Sequence, residues 1–376
     1  MGMPRAAQLA AKLERARAAV GRAGEVVWLD AFAGREDAFR NKAKMVVGGT
    51  TAAPTLGILD PQRRGIDLSA CGITSSGLRA AMPAIKSFIR EAALVPYDVA
   101  ARRGELKHVL LTEAPDGGLM ARFVLRSTEA LPRIRKHLPA LRAALPALRV
   151  ATANILPGHV ALLEGDEEHV LTENDALAME FGALDLTLPP RSFFQTNTEV
   201  AAALYRQAAE WTDRFLTGHD EPNGPARIWD LYCGVGGFAL HLAAPGREVV
   251  GVETSAEAVA AANRTGVPGA TFIAADATRW AREQGAVPDL VVVNPPRRGL
   301  GPELSGWLEA SGVPALIYSS CNPDTLAADL ERMPSLAPVE ARLFDMFPQT
   351  EHMEVMVLLA RDASSRPSAS LSDRDR

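Results

Sequence analysis

The chain has 376 residues, a formal net charge of −5 and a hydrophobic content of 47%. That length favours two or three domains over one core. It lacks any apolar run of the roughly eighteen residues that a membrane helix needs, which excludes such a span. The mild acidity does not point to indiscriminate nucleic-acid binding but leaves room for local basic clusters.

Residues 1–22 are alanine-rich and charged, without the continuous apolar core of a secretory leader, so a cytoplasmic location is expected. Within them residues 5–22 have helical composition, and residues 26–32 read as a strand. In the run 39–47, Arg40, Lys42 and Lys44 alternate, which sends them to one face of a strand. Two readings stand: an edge strand defended by charge, or a phosphate-binding face.

Residues 78–94 and 129–148 carry apolar side chains at helical spacing, and 107–113, 119–126, 149–156 and 159–164 read as strands. This mixed unit has a basic side, Arg122, Arg126, Arg133, Arg135 and Lys136, and no glycine-rich phosphate turn. It reads as a substrate-binding insert. The expected divisions are an N-terminal segment 1–54, a central α+β domain 55–185, a second domain 186–362 and a polar, disordered tail 363–376.

Residues 189–195 form a loop, Thr196 is placed to cap a helix over 199–215, and 219–225 is a polar linker. From residue 228 strands alternate with helices: 228–232, 249–253, 270–275, 290–294 and 315–319, with helices such as 256–264 and 302–310 between. Such alternation predicts a parallel sheet covered on both faces. Residues 339–344 and 354–360 are strands joined by an irregular loop, which predicts an antiparallel end to the sheet.

The stretch 226–244 organises the chemistry. It is a strand, a turn with Gly234, Gly236 and Gly237, and a helix start. Bare glycine backbone lets a ligand lie close, and a helix N-terminus offers N–H groups to an anion. Glu253, at the tip of the next strand, is placed to accept both hydroxyls of a ribose. A nucleoside-bearing cofactor follows. A dehydrogenase fits the turn equally well, but Asn294-Pro295-Pro296-Arg297 at a later strand end counts against it. There two prolines stiffen a loop that aims the Asn294 amide at a planar base or amine. Cys321 leaves its strand at that same end. As a nucleophile its thiol needs a charged neighbour or the dipole of the helix starting near Asp324. The loop 347–354 offers Glu354 as a base and His352 as its orienter, with Glu351 solvated.

Taken in order, Ser192-Phe193-Phe194-Gln195-Thr196-Asn197, the turn 230–238, Asn294-Pro295-Pro296-Arg297, Ser319-Ser320-Cys321-Asn322 and the run 347–354 resemble the RNA uracil-C5 methyltransferases that use S-adenosyl-L-methionine. The run 39–47 resembles most closely the branch acting on uridine 747 of 23S rRNA. The resemblance implies a Rossmann-like class I methyltransferase domain, mostly parallel with an antiparallel end, plus a central α+β RNA-binding insert and no extra N-terminal β-barrel. It implies that Gln195, Tyr232, Gly237, Glu253 and Asn294 contact S-adenosyl-L-methionine, with Cys321 as nucleophile and Glu354 as base. It implies further that the thiolate adds to carbon 6 of uracil, that carbon 5 takes the methyl group, and that Glu354 removes the carbon-5 proton. The implied partner is 23S rRNA, bound by a monomer away from any membrane. A transfer-RNA enzyme and a noncatalytic RNA-binding relative are the alternatives.

One departure concerns the four-iron, four-sulfur cluster common in the family. Cys71 matches one ligand and the other three have no counterpart, so no cluster is expected in the chain as given. Pro4, Gln8, Leu9 and Lys12 resemble the segment that follows the missing cysteines in relatives. Two explanations stand: a start upstream of Met1, or loss of the cluster.

Overall fold

The computed structural model describes residues 3–159, 162–181, 184–217 and 224–361. The elements, in chain order, are α1 (Arg5–Val20), β1 (Val27–Trp28), β2 (Lys42–Gly49), β3 (Pro54–Leu59), β4 (Gly65–Asp67), α2 (Ser76–Glu91), β5 (Leu106–Glu113), β6 (Leu119–Leu125), α3 (Leu131–Ala144), β7 (Leu148–Ile155), β8 (Glu167–Val170), β9 (Leu177–Phe181), β10 (Leu184–Leu188) and α4 (Thr198–Leu216). After them come β11 (Ala226–Leu231), α5 (Gly237–Leu242), β12 (Arg247–Glu253), α6 (Ala256–Arg264), β13 (Ala270–Ala274), α7 (Ala277–Glu283), β14 (Leu290–Val293), α8 (Gly301–Ser311), β15 (Ala315–Ser320), α9 (Pro323–Glu331), β16 (Ala337–Phe344) and β17 (Glu354–Ala360). They form two units. One takes the chain up to Gly34, residues 192–194 and the described residues from Glu199 onward; the other takes residues 35–191 with 195–198.

The first unit is an eight-stranded sheet in the order β1-β16-β17-β15-β14-β11-β12-β13. The run from β15 through β13 is parallel, and β17 pairs antiparallel with both β15 and β16. This is the α/β methyltransferase architecture anticipated, with its antiparallel end. The central strands are uninterrupted apolar runs, such as Leu290–Val293, all buried, as strands covered on both faces must be.

The second unit is a seven-stranded sheet in the order β4-β3-β2-β5-β6-β7-β8, with β9 and β10 as a separate antiparallel pair. Its core lies where α2 and α3 cover one face, with Leu78, Ile85, Phe88 and Ile134 packed on Val109, Phe123 and Ala153.

Several expectations change here. A boundary at residue 54 would cut the β2–β3 hairpin, where Gly49 pairs with Pro54. β2 lies inside the sheet, bonded to both β3 and β5, so it is not an edge strand. Its alternation holds: Ala43, Met45 and Val47 enter the core, while Lys42 and Lys44 take the other face. Thr196 does not cap α4, which starts at Thr198. The Thr196 carbonyl instead accepts the Asn41 N–H at 2.9 Å. Of the strand expected at 159–164, the described residues adopt no strand. The tail 363–376 and most of the linker 219–225 lie outside the described residues.

Candidate active site

Five strand ends share one edge of the eight-stranded sheet. Of the parallel neighbours β12, β11, β14 and β15, the first ends at Glu253 and the others lead directly into Tyr232, Asn294 and Cys321. β17 runs the opposite way beside β15, which brings its first residue, Glu354, to the same edge. Ser320 pairs with Val355. Cys321 and Glu354 are the next residues along from that pair, and the Glu354 charge acts on the thiol. With strands about 4.8 Å apart, the thiol is one strand from Asn294 and two strands, on the order of 10 Å, from the glycine turn.

The turn is conformationally constrained. Tyr232 has φ 69°, in the left-handed region that costs a non-glycine residue energy and that surrounding bonds must enforce. The N–H groups of Tyr232 and Cys233 both donate to the Val252 carbonyl, at 2.9 and 3.1 Å. Gly234, at φ 55°, is glycine for conformation and access, because a Cβ there would meet nothing within 4 Å. Gly237 is glycine for packing, because a Cβ would lie 2.5 Å from the Tyr205 hydroxyl. Open backbone at Gly234 fits a ligand lying along the turn.

The helix end expected to offer free N–H groups is partly occupied by the chain itself. α5 has only six residues, and Asp230 Oδ2 accepts the Ala239 N–H at 2.9 Å. Burial pushes the Asp230 carboxyl up to about 7, and its Oδ1 has no hydrogen-bond partner among the described residues. Glu253 Oε2 accepts the Gly234 N–H at 3.2 Å, and Oε1 accepts from Thr254 Oγ1 at 2.8 Å and from the Ser255 N–H at 3.0 Å. Each carboxylate oxygen has two lone pairs, so Glu253 keeps acceptor capacity for a diol.

Asn294 is half-buried, and its side-chain amide makes no hydrogen bond among the described residues. The loop it opens is firmly held. Asp329 Oδ2 accepts from the Leu300 N–H at 2.7 Å and the Tyr318 hydroxyl at 2.8 Å, and Asn322 Nδ2 donates to the Arg297 carbonyl at 3.0 Å.

Cys321 is a half-buried free thiol. Burial pushes it above its ordinary range, and the Glu354 charge pushes the same way; Arg297 opposes both, by charge and as a hydrogen-bond donor. The helix expected to favour a thiolate does begin here, with Asn322 as its cap, yet the net shift is upward. Glu354 is 2% exposed. Burial raises its carboxyl to about 7, against the lowering effect of the Ser319 hydroxyl, which donates to Oε1 at 2.5 Å.

That bond corrects the orienter. His352 is exposed, its ring edge-on to Phe347 at 6.2 Å; the contact to Glu354 comes from fully buried Ser319. The strand period of two puts Ser319 and Cys321 on one face of β15, and a diagonal cross-strand neighbour is within reach. That was the available signal. Tyr205 on α4 was also missed. Burial and the charges of Asp230 and Glu354 raise its hydroxyl, which therefore stays protonated.

Gln195 belongs to the second unit. It is buried, its carbonyl accepts from Asn41 Nδ2 at 3.1 Å, and its side-chain amide makes no hydrogen bond among the described residues. Asn41 thus joins two of the motifs, 39–47 and 192–197. Cys71 is a half-buried free thiol of the same unit. Among the described residues no three His, Cys, Asp or Glu side chains are grouped to hold a metal ion. One thiolate cannot hold a four-iron cluster, so these residues do not fit it.

The family model described as tRNA (Uracil-5-)-methyltransferase matches residues 286–362, which span Asn294, Cys321 and Glu354. The chain is 46% identical over 360 residues to the 23S rRNA (uracil(747)-C(5))-methyltransferase RlmC of Cronobacter sakazakii, covering 94% of each chain. It is 44% identical over 340 residues to the enzyme of that name from Serratia proteamaculans, covering 89% of this chain and 88% of the relative. Its fold is similar to that of Pyrococcus abyssi tRNA (uracil-54, C5)-methyltransferase in complex with S-adenosyl-L-homocysteine, with a TM-score of 0.77, 24% identity, and coverage of 95% of this chain and 84% of that one. The chain belongs to the S-adenosyl-L-methionine-dependent RNA uracil-C5 methyltransferase family.

Proposed function

We propose that this chain methylates carbon 5 of uridine 747 in 23S rRNA, acting as a cytoplasmic monomer, with Cys321 as nucleophile and Glu354 as base. What carries the proposal is the antiparallel pairing of β15 with β17, Ser320 opposite Val355, which brings Cys321 and the buried Glu354 to the sheet edge shared with the glycine turn.

When bound, S-adenosyl-L-methionine supplies an electrophilic methyl group. The groups suited to hold it are Tyr232, the open backbone of Gly234, Glu253 and the uncommitted amide of Asn294, with Gly237 shaping the turn. Carbon 5 of uracil is a weak nucleophile. The Cys321 thiolate adds to carbon 6, forming a C–S bond and moving the double-bond electrons toward carbon 5 and the carbonyl oxygen. Arg297 favours that thiolate. The Asn294 amide can donate to a base carbonyl or accept from its ring N–H. Once carbon 5 is methylated, Glu354 takes its proton, the C–S bond breaks and the ring double bond returns with the thiolate. Covalent catalysis divides one hard step into easier ones, and a carboxyl near 7 suits a base working near neutral pH. The target base must leave its stack to reach the thiol. The central unit serves as the RNA-binding insert, with Lys44, Arg135 and Lys136 exposed upon it.

The experiment is to map 5-methyluridine in ribosomal RNA from a strain lacking the gene. The modification at uridine 747 should vanish, return with the wild-type gene and stay absent with Cys321→Ala. Persistence at 747 in the deletion strain, or loss at a different uridine, overturns the assignment.

A further inference from the structure

The loop between β16 and β17, residues 345–353, leads directly into Glu354 and has no regular structure of its own. One face of α1 holds it. Gln8, Lys12 and Arg15 follow a spacing of four and three, so they project from the same side of the helix. Gln8 binds Gln349 twice: its Nε2 donates to the Gln349 side-chain oxygen at 3.1 Å, and its Oε1 accepts the Gln349 N–H at 3.1 Å. Lys12 is 3% exposed; its Nζ donates to Asp345 Oδ1 at 2.7 Å and to the Phe347 carbonyl at 3.0 Å. Arg15 reaches the Glu351 carbonyl at 3.4 Å. Three helix residues thus bind the loop at its beginning, middle and end.

Two details exceed what anchoring a loop requires. Gln349 has φ 66°, a left-handed conformation that a side-chain-bearing residue keeps only where its surroundings enforce it, and Gln8 grips both its backbone and its side chain. Arg15 also lines the cavity of about 190 Å³ beside Cys321, together with Arg297, His352 and Met353. The helix therefore shapes the mouth of the site as well as the approach to the base.

We propose that α1 positions the catalytic carboxyl, with Gln8 and Lys12 as positioning residues that set the loop and, through it, Glu354 against the ring Cys321 holds. This rests on reading Glu354 as the base. The balance of steps then gives a specific signature. A misplaced carboxyl slows removal of the carbon-5 proton more than thiol addition, so the methylated RNA–enzyme adduct builds up.

The test uses the full chain with a transcript spanning uridine 747 of 23S rRNA and S-adenosyl-L-methionine, in Gln8→Ala, Lys12→Met, Lys12→Arg and Glu354→Gln. Expected for Gln8→Ala are a kcat lower by about tenfold, a KM for S-adenosyl-L-methionine within twofold, faster amide exchange confined to residues 345–353, and adduct above the wild-type level on a denaturing gel. Lys12→Met should show the same more strongly, and Lys12→Arg should restore part of kcat. If Lys12→Met fails to fold, Gln8→Ala carries the test. Looser exchange at 345–353 with unchanged kcat and no adduct overturns the positioning role, as does unchanged exchange. Among Glu354→Gln, Gln8→Ala and Lys12→Met, adduct in the first but in neither of the other two sinks the positioning role alone. Its absence from all three sinks the base assignment and the inference built on it.

Discussion

Arg122 and Glu354 are each 2% exposed, yet the chain treats them in opposite ways. Arg122, in the central unit, donates Nε and Nη2 to the two oxygens of Glu168 at 3.0 and 2.7 Å and Nη1 to Glu164 at 2.5 Å. Glu168 is held further by Thr152 and Asn154. Arg126 and Ser127 close on Glu105, Arg133 on Glu129 and Arg149 on Asp116. Much of the basic side read from the sequence is therefore neutralised by its own sheet, leaving Arg135 and Lys136 exposed. At the methyltransferase edge the accounting differs. Glu354 has one hydrogen bond, Asp230 Oδ1 has none, and the Asn294 amide has none among the described residues. Satisfied buried charge supports architecture, whereas incompletely satisfied groups clustered at strand ends are where chemistry is expected.

Cys321→Ala should lower methyl transfer by on the order of 10⁴-fold or more, measured with labelled cofactor, while the fold stays intact, since a small side chain replaces a half-buried one. Arg122→Met should act on stability instead. Stranding Glu168 and Glu164 costs about 3–5 kcal/mol, read as a lower urea midpoint. If the variant is as stable as wild type but loses RNA binding, the central network belongs to recognition after all.

Ser319→Ala sharpens the other side. Its hydroxyl lowers a carboxyl that burial holds near 7. Removing a hydrogen bond to a charged group is worth about 1.5–3 kcal/mol, or roughly one to two pH units. The rising limb of the kcat–pH profile, with an apparent midpoint near 7 in wild type, should move up accordingly. The sign for stability is the reverse of a salt-bridged acid. Raised above its unfolded value, Glu354 stabilises the fold fully at pH below about 4.5, and that contribution is lost as pH rises to about 7. Smallest is Arg135→Ala with Lys136→Ala. If both side chains touch phosphate, the slope of log affinity for RNA against log salt should fall by about 1.4, at roughly 0.7 per single-strand contact. An unchanged slope removes α3 from the RNA face.

Much of the methyltransferase unit was legible because its strands are apolar runs punctuated by helices. The antiparallel end was legible because no helix separates residues 344 and 354. The central unit was harder for the same reason its charges are satisfied. β8 is Glu-Glu-His-Val, which reads as loop until Glu168 meets Arg122 across the sheet. β3 and β4 contain Pro54, Gly57 and Gly65 and resemble turns. The site's residue types were readable from their motifs. Ser319, Tyr205 and the grip of α1 on residues 345–351 were not, since each depends on partners brought together only by the fold.

The most direct test of the central pairing is a denaturing gel of Glu354→Gln incubated with the 747-region transcript and methyl-labelled cofactor. The account predicts a labelled band at the mass of enzyme plus RNA, absent when Cys321→Ala is added. Turnover at the wild-type rate with no such band would contradict it.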